Sequence, residues 1–243
     1  MPDPQRVRAM FARIAPTYDR LNRLLSLGID QRWRRRAAAR LALPEGGQAL
    51  DVCCGTGDLA FALADVGARV LGLDFTPELL LRAEGKRARL DPSDRTRFGL
   101  ADALRLPLIG SGFDGATIAF GLRNVADRLA CLTELRRVVR PGGRVVVLEF
   151  QMPRGLLGVL YRLYFERLLP ALGRLGSRDQ SAYTYLRDSV LAWPSAEQLE
   201  AEMAGLGYEA TGFERLTFGI VAVHWGRVPA LPLAQGPAAP RES

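Results

Sequence analysis

A strand, a glycine turn and a helix follow one another without a break near residue 50, and no other feature restricts the fold as much. The pattern predicts a buried strand over Gln48–Val52, a turn at Cys53-Cys54-Gly55-Thr56-Gly57, and a helix from Asp58 to about Val66 closed by Gly67. The same rhythm predicts strands at Arg69–Leu73, Thr96–Leu100, Gly115–Phe120 and Arg144–Phe150. Helices from Pro77 to about Leu90 and from about Arg128 to Val139 fall between them, with Thr76 as an N-cap before Pro77. Such alternation implies a mostly parallel sheet covered on both faces, a doubly wound α/β fold. Ligands in these sheets sit beyond the carboxyl ends of the strands, where strand order reverses.

The flanks read differently. Val7, Met10, Phe11 and Ile14 recur at helical steps; a second stretch carries Leu21, Leu24 and Leu25, and a third runs from about Asp30 to Leu41 with a cluster of arginines. Beyond Phe150, Leu156–Leu175 is rich in Leu and Tyr but broken by charges and Pro170. It reads as an amphipathic helix packed on the domain or as the wall of a greasy substrate pocket. A helix at Ser195–Leu206 precedes two β-rich runs, Ala210–Phe218 and Ile220–Val228, joined at Gly219 like a hairpin. The expected organisation is one domain over residues 1–228 with seven strands: a helical lid (1–45), a cofactor-binding core (46–150), pocket helices (151–209) and a C-terminal hairpin (210–228), then a disordered Pro/Ala-rich tail (229–243).

Composition removes several classes of function. With 243 residues and 48% hydrophobic content the chain can bury a substantial core. No apolar run reaches the roughly eighteen residues of a membrane span, and the N-terminus lacks the apolar segment of a secretory signal, so a reducing cytoplasm is the expected location. Three cysteines and the single His224 make neither a disulfide framework nor a metal-ligand set, and no metal is expected. The net charge of +7 comes almost entirely from arginine, Lys86 being the only lysine. Scattered arginines without an aromatic-basic platform argue against nucleic acid; an anionic substrate or a lipid surface stays open.

Gly55 and Gly57 let the backbone approach a ligand with no Cβ in the way. Asp74, nineteen residues after Gly55 and at the end of the second strand, can accept two hydrogen bonds from a ribose diol. Together these point to an adenosine-containing cofactor. A dinucleotide would place a pyrophosphate at the helix N-terminus, where Asp51 and Asp58 would repel it. The same carboxylates suit an ammonium group, and Asp102 can accept from an adenine amino group, so S-adenosylmethionine fits better than NAD.

Beyond these residues the chain resembles the ubiquinone/menaquinone biosynthesis C-methyltransferases, a family of class I methyltransferases. The resemblance rests on Met10-Phe11, Ile14-Ala15, Tyr18-Asp19, Asn22, Ser26, Gly28 and Trp33-Arg34, on Tyr185-Leu186, Ser189 and His224, and above all on Phe120-Gly121-Leu122-Arg123-Asn124-Val125. It covers about Val7 to Gly226 and implies a Rossmann-like methyltransferase fold. By it, Thr56, Asp74, Asp102 and Ala103 would contact the cofactor beside Asp51, Gly55 and Gly57, while Tyr18, Arg123 and Asn124 would face a prenylated quinol. Two positions depart from the pattern: Cys53 stands where alanine or glycine is usual, and Ala119 replaces a serine.

The reaction so implied is methylation of a quinol ring carbon, of 2-demethylmenaquinol before a ubiquinone precursor or another phenol. The protein would bring brief contact with the inner face of a membrane, and a homodimer is left open. A phenol titrates near pKa ~10, and an adjacent guanidinium favours its anion. Arg123 suits that task, and the base is either a water held by Tyr18, Arg123 and Asn124 or Tyr18 as a relay. The plainer alternatives are that Arg123 pairs with Asp127 and that Tyr18 is a core aromatic.

Overall fold

The computed structural model describes residues 3–90, 95–155, 158, 161 and 180–230. Three helices open the chain, α1 (Pro4–Ile14), α2 (Tyr18–Ser26) and α3 (Asp30–Leu41). Then come β1 (Gln48–Val52), α4 (Asp58–Ala64), β2 (Arg69–Asp74), α5 (Pro77–Arg87), β3 (Thr96–Leu100) and β4 (Phe113–Ala119). The remainder is α6 (Arg128–Val138), β5 (Val139–Phe150), α7 (Gln180–Leu191), α8 (Ala196–Gly205), β6 (Glu209–Leu216) and β7 (Val221–Arg227).

The strands form one seven-stranded sheet in the order β3-β2-β1-β4-β5-β7-β6. β1 to β5 are parallel, and β7 runs antiparallel to both β5 and β6 as the closing hairpin. The order reverses between β1 and β4, which are neighbours although α4, β2, α5 and β3 separate them in sequence. A crevice is expected beyond the carboxyl ends of those two strands.

The period-2 alternation of the strands sorts the core into two layers. Leu50, Val52, Ile118, Val145 and Val147 pack on one face against Leu132 and Leu135 of α6 and Leu199 and Met203 of α8. Ala49, Val146, Leu148 and Val223 pack on the other against Leu59 and Leu63 of α4 and against Trp33, Ala37, Ala38 and Leu41 of α3. The third helix is therefore part of the sandwich, through Trp33, Ala37, Ala38 and Leu41. Small residues explain its place: alanines at 37 and 38 are almost wholly buried and let α3 lie close on the sheet.

Several boundaries differ from the sequence pattern by a few residues, among them β4 at Phe113–Ala119 and β6 at Glu209–Leu216, and two of the differences have a plain cause. β5 begins at Val139, before Pro141-Gly142-Gly143, because Phe113 pairs with Val139 and a register shift absorbs the glycines. Ser195 lies outside the last helix as its cap, with a reciprocal capping box to Gln198. The Leu156–Leu175 stretch lies almost entirely outside the described residues, as does the tail from 231 onward.

Candidate functional site

The crevice at the β1/β4 junction opens into a cavity whose empty space, open solvent at its mouth included, is about 790 Å³. Its floor is built by the turns that leave β1 and β4. Both take a sharp path: Cys53 and Phe120 lie in the left-handed region with φ of 55° each, although neither is glycine. Such strain clusters at functional sites, where the surrounding packing holds it. Here the packing is explicit, because a Cβ on Gly121 would come within 2.5 Å of the Cβ of Cys53. Gly121 is required by the neighbouring turn rather than by any ligand, and only a small side chain fits at position 53.

Six of the sequence-predicted residues line this cavity: Gly55, Asp74, Asp102, Ala103, Tyr18 and Asn124. Asp74 is buried, and its two oxygens accept from the backbone amides of Gly55 (2.9 Å) and Thr76 (2.8 Å). These bonds fix the carboxylate and leave each oxygen further lone pairs for a ligand. Burial pushes the Asp74 carboxyl up, while the amides of Thr76 and Gly55 pull it back. Asp102 is held by the amide of Leu104 at 2.9 Å. A Cβ added to Gly55 would lie 3.8 Å from Cε1 of Tyr18, so the tyrosine ring stands close over the glycine turn.

The other four lie behind the wall. An added Cβ on Gly57 would strike Phe98 at 2.7 Å, and its φ of 84° suits glycine; its place is in the packing of α4 against β3. The Thr56 hydroxyl donates to Asp19 of α2 (2.6 Å) and accepts from Lys86 (2.9 Å). Lys86 also meets Asp19 (2.8 Å) and Asp58 (2.7 Å), so the three protons of the lone ammonium reach α2, the turn and α4. Thr56 is therefore a tie between α2, the β1 turn and α5, with its hydroxyl proton engaged and one lone pair left over. Burial pushes the Asp58 carboxyl up, but Arg34 and Lys86 outweigh it and hold it below the usual carboxylate range. Asp51 is buried too; its Oδ1 accepts from Thr117 at 2.8 Å and its Oδ2 has no partner. Burial raises its carboxyl to about 7 against the pull of Thr117 and Arg34.

Arg123 takes a different partner from the one its local sequence offers. Asp127 caps α6, accepting from Leu129 and Ala130 at 3.0 Å each. Arg123 Nη1 instead donates to Glu149 Oε1 at 2.6 Å and to the Phe120 carbonyl at 2.7 Å. Glu149 is wholly buried at the end of β5, where burial raises its carboxyl and the guanidinium lowers it. The guanidinium is thus one layer behind the cavity rather than on its wall. Its charge still reaches the wall: it favours the anionic forms of both Tyr18 and Tyr185, although burial leaves both hydroxyls raised. Asn124 completes the group, donating to the Phe120 carbonyl (3.1 Å) and accepting from the Tyr185 hydroxyl (3.0 Å).

Sequence reasoning missed Glu149 and Lys86 as site-building residues. A carboxylate inside the apolar run Val145–Phe150 and a single lysine in an arginine-rich chain were the available signals. His224, wholly buried on β7, meets the Ala196 carbonyl at 3.0 Å and is a packing residue. Among the described residues no group of His, Cys, Asp and Glu could hold a metal ion.

A doubly wound sheet with this strand order and a glycine turn facing an anchored Asp74 defines a class I methyltransferase that uses S-adenosylmethionine. Solved structures agree on the fold. A chain from the Haloferax volcanii complex of the Trm112 methyltransferase activator superposes with a TM-score of 0.67 at 18% identity, covering 90% of this chain and 97% of that one. A SAM-dependent methyltransferase from Thermotoga maritima gives 0.64 at 20% identity, covering 91% and 99%. The sequence model of the ubiE/COQ5 methyltransferase family matches residues 2–228, and the chain belongs to that family. It is 50% identical to the demethylmenaquinone methyltransferase of Thermus thermophilus, over 90% of this chain and all of that protein. It is 44% identical to the ubiquinone/menaquinone biosynthesis C-methyltransferase UbiE of Geobacter sulfurreducens, over 91% of this chain and 88% of that protein.

Proposed function

We propose that this chain transfers a methyl group to a ring carbon of a prenylated quinol, with 2-demethylmenaquinol as substrate and menaquinol as product. The observation that carries the reading is that one cavity joins two unlike halves. Asp74, Asp102 and Ala103 make a polar half suited to an adenosine, and Tyr18 and Asn124, backed by Arg123, make a half suited to an aromatic alcohol. The 50% and 47% identical relatives from Thermus thermophilus and Deinococcus radiodurans, both demethylmenaquinone methyltransferases, support menaquinol over a ubiquinone precursor.

Bound S-adenosylmethionine supplies an electrophilic methyl on its sulfonium. The chain's task is to orient a carbon nucleophile and to make it reactive. Tyr18 and Asn124 are proposed to hold the quinol hydroxyl, and Asp74 the cofactor ribose. Arg123 acts through the wall as a positioning residue: its fixed charge favours the quinol anion, whose electrons raise the nucleophilicity of the neighbouring ring carbon. The buried Glu149 holds that guanidinium in place and offsets part of its charge. The hydroxyl proton leaves to a water in the cavity held by Tyr18 and Asn124, and once the carbon is methylated the hydrogen it carried shifts as a proton, through the same water, to the quinol oxygen and restores the aromatic ring; with its hydroxyl raised by burial, Tyr18 serves as donor or relay and not as a standing base. Phe11, Val7 and Leu79 give the same cavity an apolar side against which a ring can lie. A prenyl tail would bring the protein to a membrane surface, and among the described residues no helix is long and apolar enough to cross one.

The test is to supply methyl-labelled S-adenosylmethionine with a panel of reduced demethylated naphthoquinols, benzoquinols and simple phenols. The proposal expects the label on a ring carbon of the naphthoquinol. Label on oxygen, or preference for a simple phenol, would refute it.

A further inference from the structure

We propose that Tyr185 is a positioning residue for the methyl transfer: by fixing which way round the Asn124 amide lies, it makes Asn124 an N–H donor, and not an acceptor, toward the quinol oxygen. This role rests on the quinol reading above, and adds to it the polarity of one contact and the residue that sets it. The Phe120 carbonyl can only accept. It receives Arg123 Nη1 at 2.7 Å and Asn124 Nδ2 at 3.1 Å, so the nitrogen end of the amide faces it. Turned the other way, Asn124 would set an oxygen against that carbonyl. The amide oxygen therefore needs a donor of its own, and the Tyr185 hydroxyl supplies one at 3.0 Å. Burial raises that hydroxyl, against the pull of Arg123, so it has the proton to give.

The tyrosine is seated independently of the amide it fixes. It lies on α7, where the buried Val190 packs with Leu21 and Leu25 of α2 and with Phe150 at the end of β5. Asn124 closes the short turn Leu122–Asn124 after β4, and the χ2 torsion of an asparagine is a soft one. A single bond to the carbonyl leaves the amide free to swing about it; the second bond, at its other end, stops that swing. The remaining N–H of the amide has no partner among the described residues, and Asn124 lines the cavity. A hydrogen bond from such an N–H strengthens as the quinol oxygen becomes an anion, because bonds to charged groups exceed those to neutral ones. The contact therefore favours the reacting state more than the bound quinol.

Steady-state kinetics on a reduced naphthoquinol, each variant assayed below its melting temperature, tests the role. Tyr185→Phe removes one hydroxyl and keeps the ring. It should lower kcat about fivefold, the equivalent of one net hydrogen bond, with KM changed by less than about twofold. The same change made in an Asn124→Ala background should lower kcat by less than about 1.5-fold, because the amide it fixes is gone. A tyrosine that only seats α7 would cost the same factor in both backgrounds, and that result overturns the proposal. An unchanged kcat in Tyr185→Phe, with or without a raised KM, overturns it as well. If Asn124→Ala turns over too slowly to assay, the split between kcat and KM in Tyr185→Phe decides alone. Ring-carbon methylation by the wild type with equal losses in both backgrounds would leave the quinol reading standing while the positioning role fails. A wild type inactive on the naphthoquinol would bring down both.

Discussion

Replacing Glu149 by glutamine removes a negative charge from one of the most enclosed ion pairs in the molecule. The carboxylate is wholly buried, the Arg123 side chain is 8% exposed, and the two meet at 2.6 Å. Taking away one partner strands a buried guanidinium, which typically costs about 3–5 kcal/mol. Glutamine keeps the volume and one acceptor, and the Phe120 carbonyl still receives Nη1, so the lower end applies, about 3 kcal/mol. For a chain of this length about 1 kcal/mol moves Tm by about 2–4 °C, which predicts a fall of about 6–12 °C. Urea titration of the wild type, E149Q, R123M and the double variant checks it. The double variant should be more stable than the sum of the two losses implies, with a coupling of about 2 kcal/mol. An E149Q protein within 0.5 kcal/mol of wild type, or additive losses, would show that the pair does not act as a unit.

Two further outcomes follow from the same geometry. Gly121→Ala should destabilise the protein by about 1–3 kcal/mol through overpacking against Cys53, and adding Cys53→Gly should restore most of it by removing the opposing Cβ and a left-handed side chain; thermal melts of the four variants decide. Asp51 has its carboxyl raised to about 7 from 3.8, so between those values the folded chain keeps a proton that the unfolded chain gives up. Its contribution is favourable below pH ~4, is lost as pH rises to ~7 and is level above that. The stability of Asp51→Asn relative to wild type should therefore rise across that window, by up to about 4 kcal/mol, when denaturation is measured from pH 4 to 8; a flat difference would refute the cause assigned to the shift.

What could be read from the sequence was set locally. The strand, turn and helix around Gly55, the place of Asp74 and the hairpin around Gly219 depend on residues within a few positions of one another, and the structure has them. What could not be read was set by strand order. Ala119 pairs with Leu148, and that register places Glu149 beside the Phe120–Arg123 turn, 26 residues away in sequence. Asp127, only four positions from Arg123, is nearer along the chain but is consumed as a helix cap. Thr56 looked free because its partners, Asp19 and Lys86, lie 37 and 30 residues distant. Local spacing assigns a residue to an element; only the assembled sheet decides which charge it meets.

A fixed positive charge behind the cavity wall is the feature on which the proposed chemistry turns. The most direct measurement compares wild type and Arg123→Ala for turnover of a reduced naphthoquinol and for affinity toward S-adenosylhomocysteine, both below the variant's melting temperature. A fall in turnover of at least about 100-fold, equivalent to about 2.7 kcal/mol of barrier, with affinity changed by less than about threefold, is the result expected. Turnover near that of the wild type, or turnover and affinity falling together, would contradict the account.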